Sequence, residues 1–347
     1  MMELRSVVKT YATAGGSGVF RALDGISARF SDGELTVILG PSGSGKSTLL
    51  RLFNRMIEPD SGEVIIDGST ARSLDPVALR RSMGYVIQNV GLFPHMSVAG
   101  NISVVPSLLG WTRERIGTRV AELLDLVRLP RTYAERRPHQ LSGGEAQRVG
   151  VARALAADPR VLLMDEPFGA LDALTREDLQ DEFIRIQKEL RKTVIFVTHD
   201  VGEAVRLADT ILVMKGGRLA GVGTPAQLAR NFTGTFVQEF LGTRFEIELL
   251  GRKSAAARAD FSPAGATRAA ALVSAAVAAA LAAPAFPEAA VPAAVPLCSS
   301  ATLHDALAMM LATASTEIAV SGADGRLGWL SLDMIVSGSA ESFRNGT

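Results

Sequence analysis

Three short, almost wholly apolar runs punctuate the first part of the chain: Leu35 to Leu39, Val161 to Met164 and Val194 to Val197. Each is bounded by turn-forming or charged residues, as expected of strands buried on both faces of a parallel sheet. Between them, Trp111, Ile116, Val120, Leu123, Leu124 and Val127 recur at spacings of three and four among charged residues, which predicts helix across 102–129. Strand-like and helical patterns alternate in this way from about Met1 to Gly242. The sequence therefore predicts an α/β domain: a mostly parallel sheet with helices on its faces and a helical insertion between two halves of the sheet.

The pattern changes beyond residue 250. From Ser254 to Pro296 alanine fills 21 of 43 positions and proline five, which predicts a linker or a poorly specified helical layer. A globular pattern resumes from Thr302 to Val336, with a helical ATLHDALAMML, a strand from Glu317 to Val320, a turn at Gly322 to Gly325 and a strand from Leu327 to Leu330 leading into LDMIV. The expected division is 1–245, with a helical subdomain at about 90–160, then 246–298 as linker or degenerate repeat, then 299–347 as a small α+β module.

Composition narrows the functional classes. Lys plus Arg and Asp plus Glu each total 36 in 347 residues, so no global positive field favours nucleic acid or an anionic membrane. The single cysteine, Cys298, excludes an intrachain disulfide framework and suits a reducing compartment. The opening MMELRSVVKT has no apolar stretch after its first charges, so neither a secretory signal nor an anchor is expected there. The one long apolar run, Ala269 to Phe286, is mostly alanine and is interrupted by Ser274 and Pro284, which argues against a membrane span. A mean hydropathy of +0.21 leaves room for an apolar face that docks on a partner.

Local chemistry is concentrated in three places. GPSGSGKS, Gly40 to Ser47, lies between the strand-like ELTVIL and the helical STLLRLFNRMI. Strand, glycine-rich loop and helix in that order form a phosphate cradle: backbone N–H groups converge on phosphate oxygens, Lys46 reaches the β and γ phosphates, and the Ser47 hydroxyl suits Mg²⁺. Candidate nucleotide contacts are Gly40, Ser42, Gly43, Gly45, Lys46, Ser47 and Thr48. In VLLMDEP, Asp165 and Glu166 stand at the C-terminal end of a predicted buried strand, where α/β sheets bind ligands. Asp165 is placed to share the metal with Ser47, and Glu166 to orient or deprotonate a water. The third place is LSGGE, Leu141 to Glu145, which opens another helical segment.

In order, the chain carries the cradle, Gln88 after a strand-like Gly84 to Ile87, LSGGE, MDEP, the turn Gly169-Ala170-Leu171-Asp172, and His199 after VIFVT. This succession resembles the ATP-binding-cassette ATPases over about Met1 to Gly242. The resemblance implies a P-loop cassette with a mixed sheet and a helical subdomain, ATP and Mg²⁺ as ligands, and ATP hydrolysis. It also implies roles: Gln88 contacts metal and water and faces a membrane partner, His199 holds the γ-phosphate and Glu166, Asp172 reaches across a dimer, and Tyr11 stacks on adenine. Ser142, Gly143 and Gly144 would donate N–H groups to the γ-phosphate held by a second subunit, giving a head-to-tail homodimer of cassettes.

With no fused span expected, the resemblance points to the ATPase of a bacterial importer on the cytoplasmic face of the membrane. Transmembrane permease subunits and a periplasmic or lipid-anchored substrate-binding protein would be its partners, and nucleic acid would not. IQNVGLFPHMSVAGNI, VPSLLGW and LQDEFIRIQKELRKTVIFVTHD look most like the subfamily importing glycine betaine, choline and carnitine, although Gly100 stands where that pattern more often has Glu. An importer of another small solute, or an ATP-gated regulatory protein, are the alternatives. Thr302 to Val336 resembles one cystathionine-β-synthase-type (CBS) repeat, which implies a nucleotide or ionic-strength sensor, or a small packing module.

Overall fold

The computed structural model describes residues 1–12, 18–88, 90–169, 171–231, 236–237, 239–241, 245, 306, 309–310, 317–321, 327–331 and 334. The chain divides into two compact units, Met1–Thr224 and Pro225–Thr347.

The first unit is built on two sheets. Strands β3 (Leu35–Leu39), β6 (Met83–Val86), β7 (Val161–Asp165), β8 (Thr193–Thr198), β9 (Thr210–Lys215) and β10 (Arg218–Gly223) form a six-stranded sheet in the order β10-β9-β3-β8-β7-β6. All neighbours are parallel except β10, which closes the edge as an antiparallel hairpin partner of β9. Every residue of β3 and of β8 is buried, which is why both read as continuous apolar runs.

The second sheet is antiparallel, in the order β2-β1-β4-β5, from β1 (Met2–Ala12), β2 (Val19–Phe30), β4 (Ser61–Ile66) and β5 (Ser69–Thr70). Its register shifts between Leu4 and Val7 and again near Lys9, and Ser6 takes a φ of 47°. These bulges blur the two-residue alternation that would have announced the strands. Helix α1 (Lys46–Phe53) lies between the two sheets: Leu49, Leu50, Leu52 and Phe53 pack with Leu4, Ile26 and Phe30 from one and Ile38, Ile195 and Leu212 from the other. Phe30 and Phe53 meet edge to face at 5.0 Å. Burying each such side chain stabilises the fold by about 1.5–3 kcal/mol, which fixes the root of the cradle helix.

α1 is shorter than the helical STLLRLFNRMI suggested. It stops at Phe53 because Arg55 turns left-handed (φ 52°) and the carbonyls of Asn54 and Arg55 accept from Arg80. Helix α2 (Pro76–Ser82), capped by Asp75, then leads into β6. The expected helical stretch over 102–129 is two helices, α3 (Val98–Leu108) and α4 (Arg113–Leu126). Gly110 at φ 74° ends the first and the Thr112 hydroxyl caps the second. Helix α5 (Gly143–Leu155) completes the helical layer before β7, and α6 (Ala173–Leu190) and α7 (Val201–Leu207) flank β8. Behind β7 and β8, Phe168, Phe183 and Phe196 form an aromatic cluster with centroids 5.7–6.5 Å apart.

In the second unit the described residues include α8 (Pro225–Asn231) and an antiparallel hairpin, β11 (Glu317–Ser321) with β12 (Leu327–Ser331). The hairpin falls on the two strands expected there, and Ala306, Met309 and Met310 are helical within ATLHDALAMML. The alanine-rich 254–296 stretch lies outside the described residues. Among the described residues, no helix is long and apolar enough to cross a membrane.

Candidate functional site

The loop from Gly40 to Gly45 folds as a cradle because two of its glycines have no room for a side chain. A Cβ on Gly40 would stand 2.4 Å from the Met214 carbonyl oxygen, and one on Gly45 would stand 2.3 Å from that of Ala22. Gly43 and Gly45 also hold φ of 77° and 100°, conformations that L side chains rarely adopt. The loop thereby closes tightly on β9 and β2 while Ser42 and Gly43 remain exposed. Gly45 is the residue before α1, so the free amides of the first helical turn face the loop.

Lys46 is buried and its ammonium donates to the carbonyls of Gly40 (2.8 Å) and Pro41 (3.1 Å), spanning the cradle from below. Burial pulls it below the usual lysine range, against the opposing pull of Glu166 and Asp165. Ser47 donates its hydroxyl to Asp165 Oδ1 at 2.9 Å, joining α1 to the end of β7. Burial pushes the Asp165 carboxyl above its ordinary range, Glu166 adds to this, and Ser47 and Arg51 oppose it. Thr48 follows half-buried in α1.

Glu166 sits at φ 44°, a left-handed conformation rare for a non-glycine residue, with its amide donating to the Val197 carbonyl at 2.9 Å. Its carboxylate meets two other candidates. Gln88 donates to Glu166 Oε2 at 3.3 Å, and His199 Nδ1 lies 3.0 Å from the same oxygen, so an Nδ1–H ring donates to it. Gln88, Glu166 and His199, 111 positions apart from first to last in the sequence, thus converge on one oxygen atom.

The other candidates stand in two further places. Ser142 caps α5 through a reciprocal box: its hydroxyl accepts from the Glu145 amide (3.3 Å) and its own amide donates to Glu145 Oε2 (2.7 Å). A Cβ on Gly144 would stand 2.6 Å from Thr175 Cγ2, so that side chain would have to shift to admit one, and a Cβ on Gly143 would stand 3.6 Å from Leu171 Cδ2. LSGGE therefore lies against the start of α6, where Asp172 caps the helix by accepting from the Thr175 amide at 3.1 Å. Tyr11 stands exposed on β1 opposite Phe20, with Lys9 Nζ 5.7 Å from its ring. Two residues beyond Phe20, Ala22 touches Gly45, so β2 runs directly past the cradle.

The donor set fits Mg²⁺ and a nucleoside triphosphate. Mg²⁺ takes hard oxygen ligands and is usually held by one or two protein oxygens with substrate phosphates and water. Ser47 Oγ and Asp165 Oδ1 supply such a pair beside the cradle. Among the described residues there is no group of three His, Cys, Asp or Glu that would instead suit a protein-caged metal.

Several supporting residues had no local signal in the sequence. Arg153 of α5 donates to the carbonyls of Gly91 (2.6 Å) and Val90 (2.8 Å), holding the segment just beyond Gln88. Asn101 clamps the Phe93 and Ser97 backbone from α3. Arg148 of α5 pairs with buried Glu182 of α6. The Arg153 bonds span 62 and 63 residues and the Arg148–Glu182 pair joins two helices, separations that no motif spacing records, whereas the Asn101 clamp closes locally within eight residues.

Parallel core, glycine cradle, paired carboxylates at the strand ends and a glycine-opened helix together define a P-loop nucleotide-binding cassette. The profile described as ABC transporter matches residues 23–169. Over 257 residues the chain is 48% identical to the glycine betaine uptake system ATP-binding protein YehX of Escherichia coli (strain K12), covering 74% of this chain and 82% of that protein. The chain belongs to the ABC transporter family.

It is also 50% identical over 242 residues to the choline transport ATP-binding protein OpuBA of Bacillus subtilis (strain 168), a match spanning 70% of this chain but only 62% of that relative's length. Among solved structures, the dimeric bacterial ABC transporter cassette MJ0796 superposes with a TM-score of 0.58 at 36% identity, over 65% of this chain and 98% of that one. A post-hydrolysis form of the same cassette, bound to ADP and Pi, gives a TM-score of 0.58 at 34% identity over the same shares.

Proposed function

We propose that this chain binds and hydrolyses Mg-ATP as the ATPase subunit of a bacterial importer, and that the imported solute is a quaternary-ammonium osmoprotectant such as glycine betaine, choline or carnitine. The observation that carries the hydrolytic part is the convergence of Gln88 and His199 on Glu166 Oε2, one residue from an Asp165 bonded to the cradle serine. Identity of 48–50% to proteins named for glycine betaine and choline transport supports the solute.

In this reading Lys46 exchanges the Gly40 and Pro41 carbonyls for β and γ phosphate oxygens, while the cradle amides bind the remaining phosphate charge. Ser47 and Asp165 would hold Mg²⁺, which when bound neutralises charge on the phosphates. Glu166 accepts a proton from water as the water oxygen bonds to the γ-phosphorus and the bond to the β–γ bridging oxygen breaks. Gln88 and His199 keep the Glu166 carboxylate aimed, and His199 steadies the transferring phosphoryl group. Tyr11 offers its exposed face to adenine.

Ser142 to Gly144 complete the site of a second subunit, so two chains pair head to tail around two nucleotides; that the MJ0796 cassette is dimeric supports the pairing of two chains. Membrane-embedded permease subunits, docking near the exposed Phe93 beyond Gln88, and a substrate-binding protein would complete the importer on the inner face of the membrane. The segment from residue 246 onward would modulate rather than perform hydrolysis, since every site residue precedes it.

Uptake of radiolabelled glycine betaine, choline and carnitine by cells whose only importer ATPase is this chain tests the proposal. Uptake of at least one that is abolished by Glu166→Gln is expected. Hydrolysis of Mg-ATP without uptake of any of the three would overturn the solute class.

A further inference from the structure

Beneath His199 lies a buried carboxylate for which the hydrolytic scheme has no use. Glu203 of α7 is 5% exposed, yet it lines the same cleft as Glu166, Gly169, Arg176, Thr198 and His199. Thr198, the residue before the histidine and itself 2% exposed, donates its hydroxyl to Glu203 Oε2 at 2.6 Å. The same hydroxyl accepts the amide of Asp200, the residue after the histidine, at 3.0 Å. The Glu203 amide in turn donates to Asp200 Oδ1 at 3.1 Å. His199 is therefore flanked on both sides by residues locked to Glu203, while its own ring is mostly exposed and is bonded to Glu166.

The lock extends to another element. Gln180 of α6, 5% exposed, donates to Glu203 Oε1 at 3.2 Å. One helical turn earlier, Arg176 donates to the Leu171 carbonyl at 3.0 Å and lies 3.9 Å from Asp200 Oδ2. Both oxygens of Glu203 are thus in use, one toward the histidine turn and one toward the helix that Asp172 caps and whose start faces LSGGE. A buried carboxylate is retained at the expense of its hydration, and burial pushes this one above its ordinary range against the Thr198 hydrogen bond. An apolar residue would fill the same space without that penalty but could not hold the turn.

We infer that Glu203 is a positioning residue for hydrolysis: through Thr198 and Asp200 it aims His199 at Glu166, and through Gln180 it ties that aim to α6, the helix capped by Asp172. This rests on the reading of the chain as an ATPase. Side chains one shell from the chemistry matter because a displacement of about 1 Å at a reacting group can lower a rate by about 10²-fold.

The test is steady-state hydrolysis of Mg-ATP by the full chain and by Glu203→Gln, Thr198→Val, His199→Ala and the double variants Glu203→Gln/His199→Ala and Thr198→Val/His199→Ala. Glu203→Gln is expected to lower kcat by about 10- to 100-fold while KM moves less than about threefold. Thr198→Val, which removes the bridging hydroxyl from the opposite side, is expected to do the same and decides the matter if Glu203→Gln does not fold. Adding either change to His199→Ala should lower kcat by less than about twofold further, because the residue being positioned is already gone. Multiplicative losses in that background, an effect confined to KM, or wild-type kcat in a folded variant would overturn the inference while leaving the ATPase reading intact. A wild-type chain that binds Mg-ATP without hydrolysing it would overturn both.

Discussion

Gly45→Ala isolates what makes the phosphate cradle rigid. The substitution adds one methyl group at a φ of 100°, where an L residue is destabilised by about 1–2 kcal/mol. The new Cβ would also stand 2.3 Å from the Ala22 carbonyl oxygen, 3.0 Å from Leu23 Cδ2 and 3.3 Å from Met214 Cε. Ala22 and Leu23 are buried in β2, and the strand is pinned there by the Asp24 amide donating to the Gly217 carbonyl at 2.8 Å, so the contact has little room to relax. Overpacking of this kind destabilises by about 1–3 kcal/mol, which brings the expected loss for Gly45→Ala to about 2–5 kcal/mol. Gly68→Ala is the control, since its φ of 82° carries the same backbone strain with nothing within 4 Å of the added carbon; about 1–2 kcal/mol is expected there. Urea unfolding of the two variants measures the difference, and a nucleotide titration follows the cradle itself. Equal losses within about 0.5 kcal/mol, with wild-type ATP affinity for Gly45→Ala, would refute the steric account of the loop.

Lys46→Ala should raise the ATP dissociation constant at least about 10²-fold in a folded protein, because a charge-assisted contact to the phosphates is lost from a buried site; calorimetric titration reads this directly. Asp60 accepts from Lys9 Nζ, the Thr10 hydroxyl and the Thr10 amide, and these hold its carboxyl down at about 2. A depressed folded-state value gives stability above the ordinary carboxylate range that is lost as pH falls, so the Tm advantage of wild type over Asp60→Asn should shrink from about pH 5 toward about pH 2. A difference that stays constant across that range would show that the three donors do not stabilise the ionised form. Truncation after Gly251 should leave basal Mg-ATP hydrolysis within about twofold, and complete loss in a folded truncation would assign the tail to the catalytic unit.

How much of this was legible depended on whether the signal was local. Leu35–Leu39, Val161–Asp165 and Thr193–Thr198 were readable because strands buried on both faces must be apolar throughout. The cradle was readable because its glycines are demanded by contacts on either side of a short loop. The antiparallel sheet was not, since its bulges at Ser6 and Lys9 interrupt the alternation and its partners lie as far apart in sequence as Met2 and Ile66. The break between α3 and α4 rests on Gly110 and Thr112, which a three-and-four periodicity passes over. Within the site, Glu166 and His199 could be picked out by type and order, but the left-handed turn that aims Glu166 could not. Arg153 and Arg176 bond to backbone carbonyls, and Glu203 joins nearby Thr198 to Gln180 on another helix, so residue type alone does not distinguish them from surface charges.

The most direct test of the composite ATP site is sedimentation of Glu166→Gln with Mg-ATP. The substitution keeps the size of the side chain and a hydrogen-bonding oxygen for Gln88 and His199 but removes the proton acceptor, so hydrolysis should fall by about 10²- to 10⁴-fold. Lys46, Ser47 and Asp165 remain, so nucleotide should stay bound and hold two chains together through the LSGGE segments. A stable dimer with ATP, and monomer without it, is the predicted result. A variant that stays monomeric with ATP demonstrably bound, or that hydrolyses at the wild-type rate, would contradict the account.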